Sequence, residues 1–133
     1  MASNNGDGGV VDLDVLRPEP KVLKLGGNEI DVSFVPCAIT FELEHIVQAM
    51  GKLSVDAINA GDKDQARKGF DLAVDLCSLF CQRKYPEMTR EWFMENTDAG
   101  QLQVFSNAIK DALIKSYEGV GRYQSPPKAK RTK

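Results

Sequence analysis

Residues 85–117 read YPEMTREWFMENTDAGQLQVFSNAIKDALIKSY, and the spacing of caps and apolar positions in this stretch predicts two short amphipathic helices with almost no loop between them. Thr89 stands at an N-cap position, where its hydroxyl can accept a bond from an unpaired N–H of the first turn. Met88 before it and Phe93 after it are placed as a hydrophobic staple. Asp98-x-x-Gln101 then forms a second capping signal, with Asp in the place of Ser or Thr. The helices expected from these signals are Thr89–Glu95 and Asp98–Tyr117. In the second, Leu102, Phe105, Ile109, Ala112 and Leu113 share one face as a core stripe. Val104 and Ile114 fall off that stripe and are the expected partner-binding positions.

Upstream, Pro86 closes a long predicted helix over Asp62–Tyr85, because proline disfavours helical geometry in the residue before it. Asp62-x-x-Gln65 opens that helix with another capping box. Ala66, Phe70, Ala73, Val74, Cys77, Phe80 and Cys81 make one apolar stripe, and Leu72, Leu76 and Leu79 lie beside it. So wide an apolar arc marks a central helix packed on more than one side. Residues 52–61 are expected to hold a short helical turn, with Gly61 as punctuation. Before them, Thr40 is placed to cap a helix reaching Met50, whose core face is Ile39, Leu43, Ile46, Val47 and Met50. Gly51 ends it.

Further upstream lies a hairpin signature. Lys21–Leu25 and Glu29–Val35 are short runs separated by Gly26-Gly27-Asn28, residues that tolerate positive φ. Ile30, Val32 and Phe34 alternate with Asp31 and Ser33, which directs one face to a core. A two-stranded hairpin is marginal alone, so the helices must cover it, and its open edges offer a route to self-association. The fold class is therefore α+β, predominantly α-helical: an N-terminal β-hairpin followed by about five helices.

The domain runs over residues 21–121. Residues 1–20 are expected to be a flexible N-terminal extension, rich in Gly and Asn and carrying Pro18 and Pro20. It carries a small apolar cluster, Val10, Val11, Leu13, Val15 and Leu16. Gly119 and Gly121 are expected to end the folded part, leaving 122–133 as a basic flexible tail. Arg122, Lys128, Lys130, Arg131 and Lys133 lie in that tail, so the body before it is more acidic than the net charge of −2 indicates. This distribution is unlike a dedicated nucleic-acid binder, whose folded surface carries the basic patch.

The chain of 133 residues, 42% hydrophobic and 27% charged, suits one soluble domain. No apolar run approaches the ~20 residues that span a bilayer, and the N-terminus lacks a signal pattern, so a cytoplasmic protein without membrane contact is expected. Three cysteines agree with a reducing compartment.

Chemistry is sparse. Cys77 and Cys81 are one turn apart and could share a metal ion with Cys37 and His45. Their place in an apolar stripe favours a packing role, and structural zinc sites use closer cysteine pairs in turns. No nucleophile motif surrounds any cysteine, and His45 is the one histidine. Glu42/Glu44 and Asp62/Asp64 are explained as helix-start carboxylates facing the helix dipole. Gly26-Gly27 suffices as a turn rather than a phosphate loop. Trp92 and Phe93 read as a packing pair, since a base-stacking platform needs basic neighbours. No catalytic, cofactor or metal residues are assigned, and no enzyme is expected.

The order of these elements resembles the tail assembly chaperones of long-tailed (siphovirus-type) phages and prophages. The residues carrying it are Leu25, Gly26, Gly27, Ile30, Val32, Pro36, Phe41, Leu43, Glu44, Pro86, Thr89, Glu91, Trp92, Glu95, Asn96 and Leu102, over about residues 21–118. They comprise a hairpin ending in an apolar-Pro step, a Glu-rich helix, and a T-x-E-W-[FL]-x-E-N segment before the last helix. The resemblance implies a non-catalytic role in virion assembly in the host cytoplasm. Such a protein binds and solubilises the tape measure protein, helps recruit tail tube protein, and leaves before the virion matures. It also implies, for many members, a longer form made by ribosomal frameshift near the 3′ end, where Pro127-Lys128 could be encoded by a slippery run. The alternative is a small helical nucleic-acid-binding or regulatory adaptor using the basic C-terminal tail.

Overall fold

Gly26 and Gly27 both adopt left-handed backbone, with φ of 59° and 85°, the geometry of a two-residue hairpin turn matched to strand twist. They join β1 (Val22–Leu25) to β2 (Asn28–Asp31) in antiparallel register, Leu25 opposite Asn28 and Val22 opposite Asp31. The computed structural model describes residues 9–53 and 55–132, with side chains as far as Glu118.

The turn is one residue shorter than expected and β2 stops at Asp31 rather than Val35. The cause is local. Asp31 Oδ1 accepts bonds from the Ser33 N–H (2.9 Å) and the Ser33 hydroxyl (2.6 Å), a turn that competes with the strand ladder. Ile30 and Val32 are buried as the alternation requires, but Ser33 takes the next buried place and Phe34 turns outward.

α1 spans Cys37–Gly51. Its N-cap is the extended Pro36, and Thr40, expected as the cap, lies one turn inside. There its hydroxyl donates back to the Pro36 carbonyl at 3.0 Å. Glu42 and Glu44 consequently stand beyond the first turn, which holds no acid, and the dipole does not account for them. Ile39 and Leu43 are fully buried, with Ile46, Val47 and Met50 packed beside them.

The short α2 (Val55–Asn59) fills the expected position, and Gly61, at φ 98°, redirects the chain. Asp62 Oδ1 then accepts from Asp64 N–H (3.1 Å) and Gln65 N–H (3.2 Å) to open α3, Lys63–Gln82. α3 is the central helix: it packs on α1, α2, α4 and α5, and Ala73, Val74, Leu76, Cys77, Ser78, Phe80 and Cys81 are buried. The buried Ser78 hydroxyl is satisfied by Gln82 Oε1 and the Met88 carbonyl. α3 ends three residues before Tyr85, because the geometry that Pro86 imposes is relieved over a turn in which Lys84 and Tyr85 N–H groups both bond to the Cys81 carbonyl.

α4 (Arg90–Asn96) is capped by Thr89, whose hydroxyl oxygen accepts from Trp92 N–H at 3.2 Å, and the staple residues Met88 and Phe93 are both buried. The second capping box is reciprocal: Asp98 N–H donates to Gln101 Oε1 (2.9 Å) and Gln101 N–H to Asp98 Oδ1 (2.8 Å). It opens α5, Ala99–Thr132. The helix therefore continues through Gly119 and Gly121, where an end was expected. Each glycine costs roughly 0.5–1 kcal/mol in a helix interior, which propagation from established turns can absorb. Pro126 and Pro127 lack backbone donors, so the intrahelical bonds at those two positions are missing.

The described part of the N-terminal extension carries one 3₁₀ turn, Leu13–Leu16, capped by Asp12 and set against α5. Leu16 is half-buried there, while Val10, Val11, Leu13 and Val15 are exposed. Residues 1–8 lie outside the described part. The whole is the predominantly helical α+β domain expected, a hairpin followed by five helices.

Candidate interaction surfaces

The hairpin register settles which strand edge is open. Lys21, Leu23 and Leu25 face Val32, Ile30 and Asn28, and the Val32 N–H to Lys21 carbonyl bond (2.8 Å) fixes these as the hydrogen-bonded rows. By the antiparallel alternation, Val22 and Lys24 turn their backbone groups outward on β1, and Glu29 and Asp31 do so on β2. The β2 side is clasped, since Tyr85 donates its hydroxyl to the Glu29 carbonyl at 2.9 Å. The β1 side has no such partner among the described residues.

The other face of the hairpin is pinned by α4. A Cβ on Gly26 would lie 2.6 Å from Trp92 Cζ2, so the indole ring rests directly on the turn. Trp92 meets Phe93 edge-on at 5.1 Å, and Phe93 reaches Phe105 of α5. The pair is thus a packing pair. Arg90, beside the cap, holds α4 to α3 by bonding the Asp75 carboxylate and the Asp71 carbonyl.

Both partner-binding positions expected on α5 are exposed, Val104 at 63% and Ile114 at 59%. They do not form one patch: ten residues of helix separate them by about 15 Å along the axis and about 80° around it. Ile114 has better company. One turn later Tyr117 donates its hydroxyl to Glu44 Oε2 of α1, and this bond holds the phenol pKa above its ordinary value. Phe41, one turn before Glu44, is 83% exposed. The i, i+3 relations place Phe41 and Ile114 on the helix faces that flank the Tyr117–Glu44 bond. Phe41 is absent from the sequence-based partner positions, although its place off the α1 core stripe could have pointed to it.

The metal and nucleophile candidates are not brought together. Cys77 and Cys81 are buried in α3, whereas Cys37 and His45 are exposed on α1. Burial, with the neighbouring Cys81, drives the Cys77 thiol far above its ordinary pKa, and burial pushes Cys81 up to about 12. Both stay protonated at neutral pH, as packing groups. No cluster of three metal-ligating side chains occurs among the described residues. None of the described helices is long and apolar enough to cross a membrane.

No family model, no curated protein and no solved structure matches this chain.

Proposed function

We propose that the chain is a non-catalytic phage tail assembly chaperone, one that binds and solubilises the tape measure protein and helps recruit tail tube protein in the host cytoplasm. The observation that carries the reading is the contact between Gly26 and Trp92. The hairpin glycines and the T-x-E-W segment are both parts of the resemblance, and in the fold they are one packing unit. Their joint occurrence then has a physical basis, since a side chain at residue 26 and an indole at residue 92 exclude one another.

The surface suits the role. A chaperone of a long helical protein must cover apolar helix surface reversibly, and Phe41, Ile114 and Tyr117 offer exposed apolar area. The open β1 edge adds backbone groups able to pair with an extended segment or a second copy. A longer frameshifted form belongs to the same proposal.

Binding of purified protein to helical tape measure fragments tests the reading. Apolar contact predicts affinity that changes little between low and high salt. The nucleic-acid alternative predicts the reverse, binding to DNA or RNA that falls steeply with salt as counterions are released. Salt-insensitive capture of the fragments supports the chaperone role. Binding to nucleic acid alone, abolished by deleting residues 122–133, would replace it with the adaptor.

A further inference from the structure

An open groove of about 410 Å³ lies between β2, the segment preceding the hairpin and the C-terminal end of α3. Ile30, Phe80 and Cys81 form its floor and are buried, and Phe34, 39% exposed, stands at one side. Three cations converge on it. The Arg17 guanidinium lies 3.7 Å from the Phe34 ring centroid, and Arg83 and Lys84, just after the last residue of α3, also line the groove.

Among the described residues none of these three is ion-paired, whereas Arg67, Arg90 and Lys115 each hold a carboxylate. Asp31, the one acid among the described residues that line the groove, has its Oδ1 turned to the Ser33 hydroxyl, the Ser33 N–H and the Lys21 N–H. The partial negative charge of a helix C-terminus accounts for Arg83 and Lys84 standing there. Arg17 arrives from a segment remote from α3 in sequence, held over the Phe34 ring and near the Asp31 carboxylate but not ion-paired to it. The result is an apolar floor with a positive rim, on a chain of net charge −2.

We propose that this groove docks a protein segment in which a bulky apolar side chain is flanked by carboxylates. The apolar group sits against Ile30 and Phe80, and the carboxylates meet Arg17, Arg83 and Lys84. A free phosphate would leave the floor unused. Single-stranded nucleic acid would stack a base on an open aromatic face, and Arg17 already lies over the ring of Phe34. The volume falls in the range of about 300–1,000 Å³ usual for ligand sites, room for one aromatic side chain and its adjoining peptide. This inference does not depend on the chaperone reading.

The test is fluorescence polarisation with a labelled Glu-Asp-Phe-Asp-Glu peptide, a Gln-Asn-Phe-Asn-Gln isostere and a Glu-Asp-Ala-Asp-Glu control. The acidic aromatic peptide should bind at least about tenfold more tightly than either control, and the R83E/K84E protein should lose about tenfold in its affinity. R17E should weaken it in the same direction, with thermal melts confirming that both variants fold. Equal binding of the neutral isostere or of the alanine peptide would overturn the proposal. So would undiminished binding by the charge-reversed variants, or no binding up to about 1 mM.

Discussion

Replacing Gly26 by alanine drives a methyl group into the only tryptophan of the chain. The new Cβ would lie 2.6 Å from Trp92 Cζ2 and 2.7 Å from Cη2, well inside the ~3.5–4.0 Å at which carbon atoms attract. Neither partner can yield cheaply, since the ring is wedged against Phe93 and the turn is set by two residues of positive φ. Two costs combine: about 1–2 kcal/mol for a left-handed alanine, and about 1–3 kcal/mol for overpacking. Gly27 separates them. Its φ is 85° but nothing lies within 4 Å of its Cβ position, so G27A carries the backbone cost alone. Urea unfolding followed by far-UV circular dichroism should place G26A about 2–5 kcal/mol below wild type and G27A about 1–2 kcal/mol below it. In a W92L background the excess cost of G26A should shrink, leaving a coupling energy of about 1–3 kcal/mol. Trp92 fluorescence gives a second readout, with a red-shifted native emission in G26A. Equal destabilisation by G26A and G27A, or no coupling to residue 92, would refute the contact and the motif pairing built on it.

Other outcomes follow from single sites. Thr89→Ala removes the α4 cap and should cost about 1 kcal/mol in the same assay, with loss of protection at the Trp92 amide in hydrogen exchange. A thiol reagent at pH 8 should label Cys37 rapidly, and Cys77 and Cys81 only as the protein unfolds; fast labelling of more than one thiol would contradict their burial. Asp31 governs an acid limb. Burial acts to raise its pKa, but bonds from the Ser33 side chain, Ser33 N–H and Lys21 N–H, with the Arg17 charge, bring it below the ordinary 3.8. Its contribution is therefore complete above pH 3.8 and is lost as pH falls through the lower folded value. D31N should flatten this limb slightly, the group being largely solvated, and amide exchange at Lys21 and Ser33 should report it.

What was legible in the sequence were features decided within one turn of chain. Thr89 and the Asp98/Gln101 pair act on neighbours three or fewer residues away and behave as their spacing indicates, and the glycines turn the hairpin as expected, although Asn28 joins β2. The misplaced boundaries arose where two local signals competed. Apolar alternation would carry β2 to Phe34, but the Asp31 carboxylate captures Ser33 first. Thr40 has the chemistry of a cap, but the helix begins directly after Pro36 and leaves it inside. The glycine pair at 119 and 121 is a stop signal that an already long helix overrides. Long-range features had no local signature. Tyr85 closing the β2 edge and Tyr117 reaching Glu44 join residues 56 and 73 positions apart. The candidate surface shares this limit: Ile114 could be read as off-stripe on its own helix, but the Tyr117–Glu44 bond one turn away exists only once α1 and α5 are docked.

The proposed chaperone role is tested most directly by the soluble yield of a tape measure protein co-expressed with this chain. The role predicts that the tape measure protein moves from the insoluble to the soluble fraction and co-purifies with the tagged chain. It predicts further that F41D/I114D, which leaves the buried core untouched, largely abolishes the rescue while the variant itself stays folded. A tape measure protein that remains insoluble and unbound beside abundant, folded wild-type chain would contradict the role.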